Sequence, residues 1–396
     1  MYVDMEQKEA LIISACQFPD GNATATRQYH LAKMLMELNY SVSILCLSNI
    51  SKDTEGVFDS IHYCGHSGDK NKTYVGRLLS FKHHIKYYFT KKKNLPNIIF
   101  LNEVPLPSFL YVKKYASKKK IYLYHDCVEW FSLEQSVSHT RLNPLMFLAY
   151  IQKESINRIL LQSEVSITSI SKYLHSHFQK RGIPSYYLPV TMDIISYSPN
   201  KFNSKNSLNL VYAGSPASKD YIEQVVEALL LLNDDELKRV EFSLFGMSNE
   251  ELSLVSSISD SSRQRLSVCL HPKGKVSRNT VLEYLKSADF SVLIRSSTAR
   301  YAKAGFPTKS VEALMSGTPL FLNMTSDLGM YLRDGYDCIE VENETPEAIA
   351  VALRRALALT PEEKDQMKKN ARKTAEENFD YRLYIESFGQ FIQNAK

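Results

Sequence analysis

Apolar residues follow two spacings that alternate along the chain. Short continuous apolar runs, of which Ala10–Ala15 is the first, are typical of strands buried on both faces of a parallel sheet. In the stretches between these runs, apolar residues recur every three or four positions, as Leu31, Met34, Leu35 and Leu38 do, which predicts a helix with one buried face. The alternation therefore predicts β-α units and parallel sheets.

This alternation occurs in two series. In the first series, further strands are predicted at Val42–Leu47, Asn97–Asn102, Lys120–His125, Val165–Ser169 and Tyr186–Pro189. The periodicity is lost between Asp193 and Ser207, where Ser, Asn and Lys accumulate, and we interpret this stretch as a linker. In the second series, strands are predicted at Leu208–Gly214, Val240–Gly246, Arg265–Leu270, Asp289–Ile294 and near Ile339–Val341.

We therefore predict an α/β fold of two doubly wound Rossmann-like domains, residues 1–200 and 201–379, that face each other across a cleft. A chain of 396 residues is long enough for two hydrophobic cores. The segment 380–396 carries aromatic residues at helical spacing. We expect it to form a helix that either caps the second domain or packs back on the first.

Composition and charge restrict the function classes. The net charge of +5 is mild, and no nucleic-acid module is recognisable, so no nucleic-acid partner is expected. The six cysteines are scattered without a C-x-x-C spacing, which favours reduced thiols and argues against a zinc site. There is no signal peptide pattern and no apolar run of about 20 residues. We expect a cytoplasmic protein.

The stretch Lys303–Asn323 (KAGFPTKSVEALMSGTPLFLN) predicts a loop, a short helix and a buried strand. The loop contains Gly305 and Pro307, and it leads into a helix N-terminus, where backbone N–H groups favour a bound phosphate. Glu312 lies one turn inside this helix, where its carboxylate can accept hydrogen bonds from sugar hydroxyls. The alternative is an ordinary loop, helix and strand with Glu312 on a solvated face.

Several stretches together resemble the GT-B glycosyltransferases, and among them the retaining glycosyltransferase family 4 (group 1 transferases). The stretches that carry the resemblance are ALIISACQFPDGNATATRQYHLAKML, SEVSITSISKYLHSHFQKRGI with LPVTMD, LNLVYAGSPASKD, SADFSVLI and AGFPTKSVEALMSGTPLFLN. The resemblance covers nearly the whole chain and implies an acceptor domain followed by a donor domain that binds a nucleotide diphosphate sugar as co-substrate, with no further cofactor.

The resemblance and the chemistry of the leaving diphosphate select the expected donor-binding residues. They are Gly21, Asn22, Gly214, Ser215, Lys219, Arg295, Gly305, Phe306, Pro307, Thr308, Lys309, Ser310 and Glu312. Lys219 is expected to act in catalysis as a cation that stabilises the leaving group, and Glu312 to hold the ribose. The chain departs from the family pattern at Ala304, where the first of two glutamates is expected, and at Ser215, where many members have arginine.

On the acceptor side, His125 and Asp126 stand at the carboxyl end of a predicted strand. They are the candidates for orienting or deprotonating the attacking hydroxyl, although a structural histidine is the alternative. No D-x-D carboxylate pair stands at a strand end, so we expect no metal and a metal-independent reaction.

The stretch Lys82–Lys93 mixes basic and aromatic residues, which suits peripheral contact with anionic lipid headgroups, and an ordinary solvated face is the alternative. We expect transfer of a hexose-type residue, with retention, to a saccharide or lipid-linked saccharide in cell-surface polysaccharide or glycoconjugate biosynthesis, in the cytoplasm or at the inner face of the cell membrane. Ala304 and Ser215 motivate an alternative, a catalytically degenerate GT-B protein that binds a partner transferase or a glycan. A nucleotide-sugar epimerase is a third possibility.

Overall fold

The computed structural model describes residues 7–19, 23–48, 52–67, 74–92, 94–130, 137–138, 141–142, 144–199, 204–214, 219–248, 250 and 259–394. The chain divides into two compact units. The first unit consists of Met1–Met192 together with Tyr381–Lys396, and the second unit is Asp193–Asp380.

The described strands of the first unit form an eight-stranded sheet and a short antiparallel pair, β7 and β8. The strands are β1 Lys8–Gln17, β2 Tyr40–Leu47, β3 Thr54–Phe58, β4 Ile61–His66, β5 Ile98–Asn102, β6 Tyr122–Cys127, β7 Val137–Ser138, β8 Arg141–Leu142, β9 Val165–Ser169 and β10 Ser185–Tyr187. The helices are α1 Ala23–Glu37, α2 Tyr74–Lys91, α3 Leu106–Lys119, α4 Pro144–Ser155, a π-helix at Ile156–Leu160, and α5 Lys172–Gln179.

The sheet of the first unit has the order β10-β9-β6-β5-β1-β2-β4-β3 and is parallel except for β3, which pairs antiparallel with β4. Ile12 of the central strand β1 stands opposite Ile44 of β2 and Phe100 of β5, and all three are fully buried. Burial on both faces explains the continuous apolar runs.

The described strands of the second unit form a six-stranded parallel sheet. They are β11 Leu208–Ala213, β12 Val240–Phe245, β13 Leu270–Gly274, β14 Phe290–Leu293, β15 Leu320–Leu322 and β16 Cys338–Glu340. The helices are α6 Ile222–Leu230, α7 Asp234–Leu237, α8 Asp260–Leu266, α9 Arg278–Ser287, α10 Arg300–Ala304, α11 Thr308–Met315, a 3₁₀ turn at Leu328–Met330, α12 Pro346–Ala358 and α13 Pro361–Asn378.

The chain then returns to the first unit through a 3₁₀ turn, Tyr381–Tyr384, and helix α14, Ile385–Asn394. Phe388 of α14 is fully buried in the core of the first unit, with its ring 6.0 Å from that of Phe100. The hydroxyl of Tyr124 donates to the carbonyl of Ile392 at 3.1 Å. Of the two alternatives for this segment, the structure has the one in which it packs with the first unit.

The change between units falls after Met192 rather than near residue 200. Residues 194–197 are attached to α13 of the second unit, since Arg372 donates to the carbonyl oxygens of Ile194 and Tyr197. The backbone N–H of Ile195 donates to Asp380. These bonds give part of the predicted linker a fixed structure within the second unit.

A buried ion cluster fastens α13 to the sheet of the second unit. Asp289, just before β14, lies 3.3 Å from the Nζ atom of Lys364 and 3.0 Å from that of Lys368. Lys364 also donates to the carbonyl of Ser207 at 2.6 Å. All three charged side chains are almost fully buried, so each depends on the others for its solvation.

One predicted strand differs from the structure, and one hairpin of the structure was not predicted. The strand predicted at Arg265–Leu270 is wrong, because residues 260–266 form α8 and β13 begins only at Leu270. The guanidinium of Arg265 donates to the carbonyls of Leu230 and Leu232, which ties α8 to the end of α6. The β3–β4 hairpin was not predicted at all. In the part of the chain that the structure describes, no helix is long and apolar enough to cross a membrane.

Candidate functional site

The strand order of the second unit changes direction between β11 and β14. In the order β13-β12-β11-β14-β15-β16, successive strands are added on one side of β11 and then on the other. Ligands of open α/β sheets bind at such a switch point, beyond the carboxyl ends of the strands. Gly214 directly follows β11, Arg295 comes shortly after β14, and Asn323 directly follows β15. These residues therefore share the edge where a ligand is expected.

Asp220 connects the groups at this edge. Its carboxylate accepts hydrogen bonds from Arg295 Nε at 2.8 Å, Lys309 Nζ at 2.5 Å and the Tyr212 hydroxyl at 2.9 Å. Although burial opposes ionisation, Lys309 and Arg295 lower the pKa of Asp220 to about 2, so the carboxylate is charged at neutral pH. Asp220 thus holds the basic groups of Lys309 and Arg295 side by side. Burial lowers the pKa of Lys309, and the charge of Asp220 opposes that shift.

The amide side chain of Asn323 fixes the loop that carries Arg295. Its Oδ1 accepts from the backbone N–H of Arg295 at 2.9 Å, and its Nδ2 donates to the carbonyl of the same residue at 2.7 Å. The backbone of Arg295 also pairs with that of Asp220 in an isolated antiparallel bridge. Arg295 is therefore positioned by its backbone as well as by its side chain.

Gly214 leaves the space that Lys309 occupies. A Cβ atom at residue 214 would lie 2.6 Å from Lys309 Nζ and 3.0 Å from the Tyr212 hydroxyl. Contacts this short do not occur between real side chains, so a larger residue would displace the ammonium group from Asp220. The close atom is the end of a flexible side chain, so a larger residue at position 214 fits only if Lys309 moves away from Asp220.

Helix α11 begins at this same edge with Pro307 as its N-cap residue. Among the described residues, no side chain caps its N-terminus. The hydroxyl of Ser310 donates to the carbonyl of Pro307 at 2.6 Å, and the side chain is fully buried. The free backbone N–H groups of the first turn attract an anion. The backbone N–H of Ser310 donates to the same carbonyl at 3.0 Å, so both donor groups of Ser310 are engaged, which argues against its expected contact with the nucleotide sugar.

Phe306 and Ala304 are structural parts of the loop before α11. Phe306 is buried and packs edge-to-face against Tyr331 and Phe379. Ala304, at the end of α10, is fully buried. These contacts fix the course of the loop through Gly305.

Glu312 lies one turn into α11 and is partly exposed. Its Oε1 atom accepts from Arg278 Nε of α9 at 2.7 Å. Arg278 is about half exposed, so this ion pair lies at the surface and is weak compared with a buried one. A ligand hydroxyl can therefore compete for the carboxylate.

Lys219 stands next to Asp220 in the chain, with its Nζ atom 5.9 Å from the ring centroid of Tyr301. The hydroxyl of Tyr301 donates to the carbonyl of Lys219 at 3.2 Å, which attaches the loop to α10. Gly21, Asn22 and Ser215 lie outside the described residues. Of the predicted donor-binding residues, the structure thus brings Gly214, Arg295 and Lys309 together around Asp220.

Residues 196–374 match the family model described as "Glycosyl transferases group 1". The matched stretch takes up nearly all of the second unit. The second unit is a group 1 glycosyltransferase domain. A comparison with curated protein sequences gave no match.

Solved structures resemble the whole chain at low sequence identity. Sucrose-phosphate synthase from Thermosynechococcus elongatus has a TM-score of 0.69 and 14% identity, over 98% of each chain. WaaG, a glycosyltransferase involved in lipopolysaccharide biosynthesis, has a TM-score of 0.68 and 14% identity, over 96% of this chain and 99% of that one. Anabaena HepE in complex with UDP and glucose has a TM-score of 0.65 and 12% identity, over 97% and 99%. The likeness shows the fold, which is that of GT-B glycosyltransferases.

Outside the glycosyltransferase domain, in the first unit, Asp126 has a structural environment. The residue is buried at the end of β6, and Arg27 donates to its carboxylate through Nε and Nη2, the latter at 2.8 Å. Gln28, Asn102 and Thr168 donate further hydrogen bonds. The expectation that Asp126 orients an acceptor is therefore corrected, because its carboxylate is fully engaged in joining α1 to three strands of the sheet.

His125 is likewise buried, with 4% of its surface exposed. Its ring stands edge-to-face to that of Phe109, and its Nδ1 atom is buried without a hydrogen-bond partner among the described residues. Burial, and next the charge of Lys153, lower the pKa of His125 to about 3. The imidazole is therefore neutral and a poor proton acceptor near neutral pH, which argues against the general-base role and leaves ligand binding as a prediction.

Sequence reasoning missed Asp220, Asn323, Tyr212 and Arg278, which position the predicted groups. Asp220 and Asn323 both stand near the carboxyl end of a predicted strand, the signal that selected His125 and Asp126. The sequence does not reveal the order of strands in the sheet, in which β14 lies between β11 and β15.

Proposed function

We propose that this chain is a retaining glycosyltransferase that moves a hexose-type residue from a nucleotide diphosphate sugar to a hydroxyl of a saccharide or lipid-linked saccharide. The observation that carries the proposal is the cluster at the switch point of the group 1 domain. Arg295 and Lys309 lie there with the uncapped N-terminus of α11. Paired cations and free N–H groups suit a diphosphate.

The proposed role of the cations is to stabilise the leaving group. When the bond between the anomeric carbon and the diphosphate breaks, negative charge develops on the departing phosphate. Arg295 and Lys309 are already held in place by Asp220, so the charge meets dipoles and cations that need little reorganisation. In this proposal Lys219, next to Asp220 in the chain, is a third cation, and Glu312 holds the ribose. The Anabaena protein HepE has been solved with UDP-glucose, which makes UDP sugars the first donors to test.

The proposed reaction needs no separate base and no metal ion. The leaving diphosphate accepts the proton of the attacking hydroxyl, because His125 has too low a pKa to hold it at neutral pH. Side-chain cations and the helix N-terminus supply the positive charge that a metal ion would otherwise provide. Activity that is unchanged in EDTA is the expected result.

The proposed acceptor is a saccharide or lipid-linked saccharide at the inner face of the cell membrane, used in cell-surface polysaccharide or glycoconjugate biosynthesis. The related structure WaaG is involved in lipopolysaccharide biosynthesis, which makes lipid-linked saccharides reasonable acceptors. In α2, Phe81 and Phe89 face the core, whereas Tyr87 is exposed and lies beneath the ammonium group of Lys91. The exposed face, including Lys86, is the proposed contact with anionic headgroups. Lys93 lies outside the described residues.

The experiment that tests this proposal uses the purified chain with UDP, GDP and ADP sugars. At least one donor is expected to raise the unfolding temperature and to be transferred to a saccharide acceptor, with the anomeric configuration retained in the product by NMR. Lys309→Met is expected to weaken donor binding at least about tenfold, since it removes one of two cations from the cluster. Lys303→Met removes an exposed cation from nearby α10 and is the matched control.

Two results would oppose the proposal. If none of these sugars raises the unfolding temperature, the proposal that the chain binds a nucleotide sugar is refuted. Binding without turnover on any acceptor would instead favour the degenerate protein that binds a partner transferase or glycan. If Glu312→Ala abolishes measurable turnover while the fold is kept, that alternative is excluded.

A further inference from the structure

Three side chains with metal-binding atoms meet at the edge of the first unit, and one of them belongs to the stretch Lys82–Lys93 considered above for lipid contact. They are Asp53, before β3, His66, at the end of β4, and His84, on α2. One ring nitrogen of each histidine and one carboxylate oxygen of Asp53 all lie within 4.8 Å of one another. The three residues come from three separate segments, so the fold itself brings them together.

The contacts within this group, which we term the edge cluster, are closest between Asp53 and His66. Nδ1 of His66 lies 3.1 Å from Oδ1 of Asp53, and the same oxygen accepts from the backbone N–H of Ser67 at 2.8 Å. Oδ2 of Asp53 points toward His84, whose Nδ1 is 4.0 Å away and thus beyond hydrogen-bond distance. An ion between these atoms would need only small side-chain movements to reach all three.

His66 is oriented as a metal-ligating histidine usually is. Its other ring nitrogen, Nε2, is hydrogen-bonded to the hydroxyl of Ser80 at 2.6 Å. With a proton on Nε2, Ser80 accepts that bond and Nδ1 presents its lone pair toward Asp53. Such a bond to the second nitrogen fixes the tautomer and the ring orientation of histidine ligands.

His84 lies beside His66, and its two ring nitrogens have different surroundings. The two imidazole rings are stacked, with centroids 4.9 Å apart. The Nε2 atom of His84 is buried and has no hydrogen-bond partner among the described residues, and Nδ1, the other ring nitrogen, faces Asp53.

We propose that Asp53, His66 and His84 bind a divalent transition-metal ion such as Zn²⁺, through two imidazole nitrogens and one carboxylate oxygen. Two histidines and a carboxylate form a common ligand set for such ions, and a water molecule completes the coordination. The ion would occupy the space between Nδ1 of His66 and the carboxylate of Asp53, with the proton of the neutral ring on Nε2, where Ser80 accepts it. The exposed carboxylate of Asp53 gives the ion access from solvent.

The ion would join α2 to the β3–β4 hairpin, and it lies in a different unit from the cluster around Asp220. Its proposed effect is on the stability of the first unit, and it takes no part in sugar transfer. Sequence analysis expected no metal because it considered cysteine spacing and D-x-D pairs. Two histidines on different elements, separated from an aspartate by a hairpin, have no comparable spacing signature.

The test uses the full chain, prepared without a histidine tag, and titrates it with Zn²⁺ alone and with Co²⁺ alone. One equivalent of Co²⁺ is expected to bind with a visible ligand-field spectrum and without a thiolate charge-transfer band. Zn²⁺ is expected to raise the unfolding midpoint of the first unit, followed through the fluorescence of Trp130, the single tryptophan of the chain.

Variants separate this site from binding elsewhere. His84→Gln and Asp53→Asn are each expected to weaken Co²⁺ binding more than tenfold, and Ser80→Ala roughly tenfold through loss of the outer bond to His66. His83→Gln removes an exposed histidine next to His84 and should leave the affinity within about twofold, as fits a residue outside the site.

The proposal is overturned if the wild-type chain shows no saturable binding. It is equally overturned if one equivalent still binds with unchanged affinity to His84→Gln or to Asp53→Asn. Asp53 is exposed, so its variant keeps the test decisive should His84→Gln fail to fold.

Discussion

Replacing His125 by glutamine should make the first unit less sensitive to acid. Burial and Lys153 lower the pKa of His125 to about 3 in the folded chain, whereas the unfolded chain has the ordinary value of 6.5. Between these two values the unfolded state binds a proton that the folded state does not. The contribution of His125 to the free energy of unfolding is therefore fully present above pH 6.5 and is lost as the pH falls toward 3.

The size of the effect follows from the two pKa values. Each pH unit between them costs about 1.4 kcal/mol. At pH 5, which is 1.5 units below the unfolded value, the wild-type first unit should have lost about 2 kcal/mol relative to pH 7.5 through His125 alone. Glutamine does not titrate, so the free energy of unfolding of His125→Gln should fall less than that of the wild type between pH 7.5 and pH 5. This holds even if the substitution lowers stability equally at both pH values.

Urea unfolding measured at pH 7.5 and pH 5 checks the prediction. Trp130 belongs to the first unit and is almost fully buried, so its fluorescence follows that unit and avoids a mixed transition of two domains. His83→Gln, at an exposed position on α2, is the control and should behave like wild type.

Equal losses between pH 7.5 and pH 5 in wild type and His125→Gln would refute the reasoning. That result would mean that the folded state keeps His125 protonated or protonatable near neutral pH. It would also restore His125 as a candidate general base, because a base needs a pKa near the working pH.

Three further substitutions test other parts of the structure. Gly214→Ala should displace Lys309 and weaken nucleotide-sugar binding by about 1–3 kcal/mol, measured by calorimetric titration, and unchanged binding would contradict the close approach at this site. Asp289→Asn leaves two buried lysines without their counter-ion and should destabilise the second unit by about 3–5 kcal/mol in scanning calorimetry, so a loss below 1 kcal/mol would count against the cluster. Phe388→Ala should destabilise the first unit by about 3–5 kcal/mol in the fluorescence assay, while Leu383→Ala, at a half-exposed site, should have a much smaller effect.

The fold was predictable because buried parallel strands leave a strong trace in the sequence. Val165–Ser169 was predicted with the bounds it has, and all five residues are buried. Prediction from apolar runs fails where contacts with residues distant in the sequence determine the local structure. A strand was predicted at Arg265–Leu270, yet Arg265 is bound to the end of α6, and residues 260–266 form a helix instead. The β3–β4 hairpin lies at the sheet edge, where β3 has no buried residue and β4 is only partly buried, so neither strand has a continuous apolar run.

The site was predictable in kind but not in its connections. The glycine, the proline and the helix N-terminus before α11 predict a phosphate site, and this stays a prediction. Nothing near Asp126 in the sequence shows that Arg27, 99 residues earlier, neutralises it. In the same way, Asp220 and Lys309 are 89 residues apart, and only the order of strands brings them together. Position at a strand end selects candidate residues, and the three-dimensional partners decide which of them remain available.

The return of α14 to the first unit makes the second unit an insertion within the first, and this has a consequence for synthesis. Residues 193–380 leave the ribosome before Ile385–Asn394, so the second unit has its whole sequence while the first still lacks Phe388 and Ile392. At about 5–20 residues per second, the first unit waits roughly 10–40 s with that part of its core uncovered. The unit that begins first is thus completed last, and during translation it is the one that offers an apolar surface to chaperones.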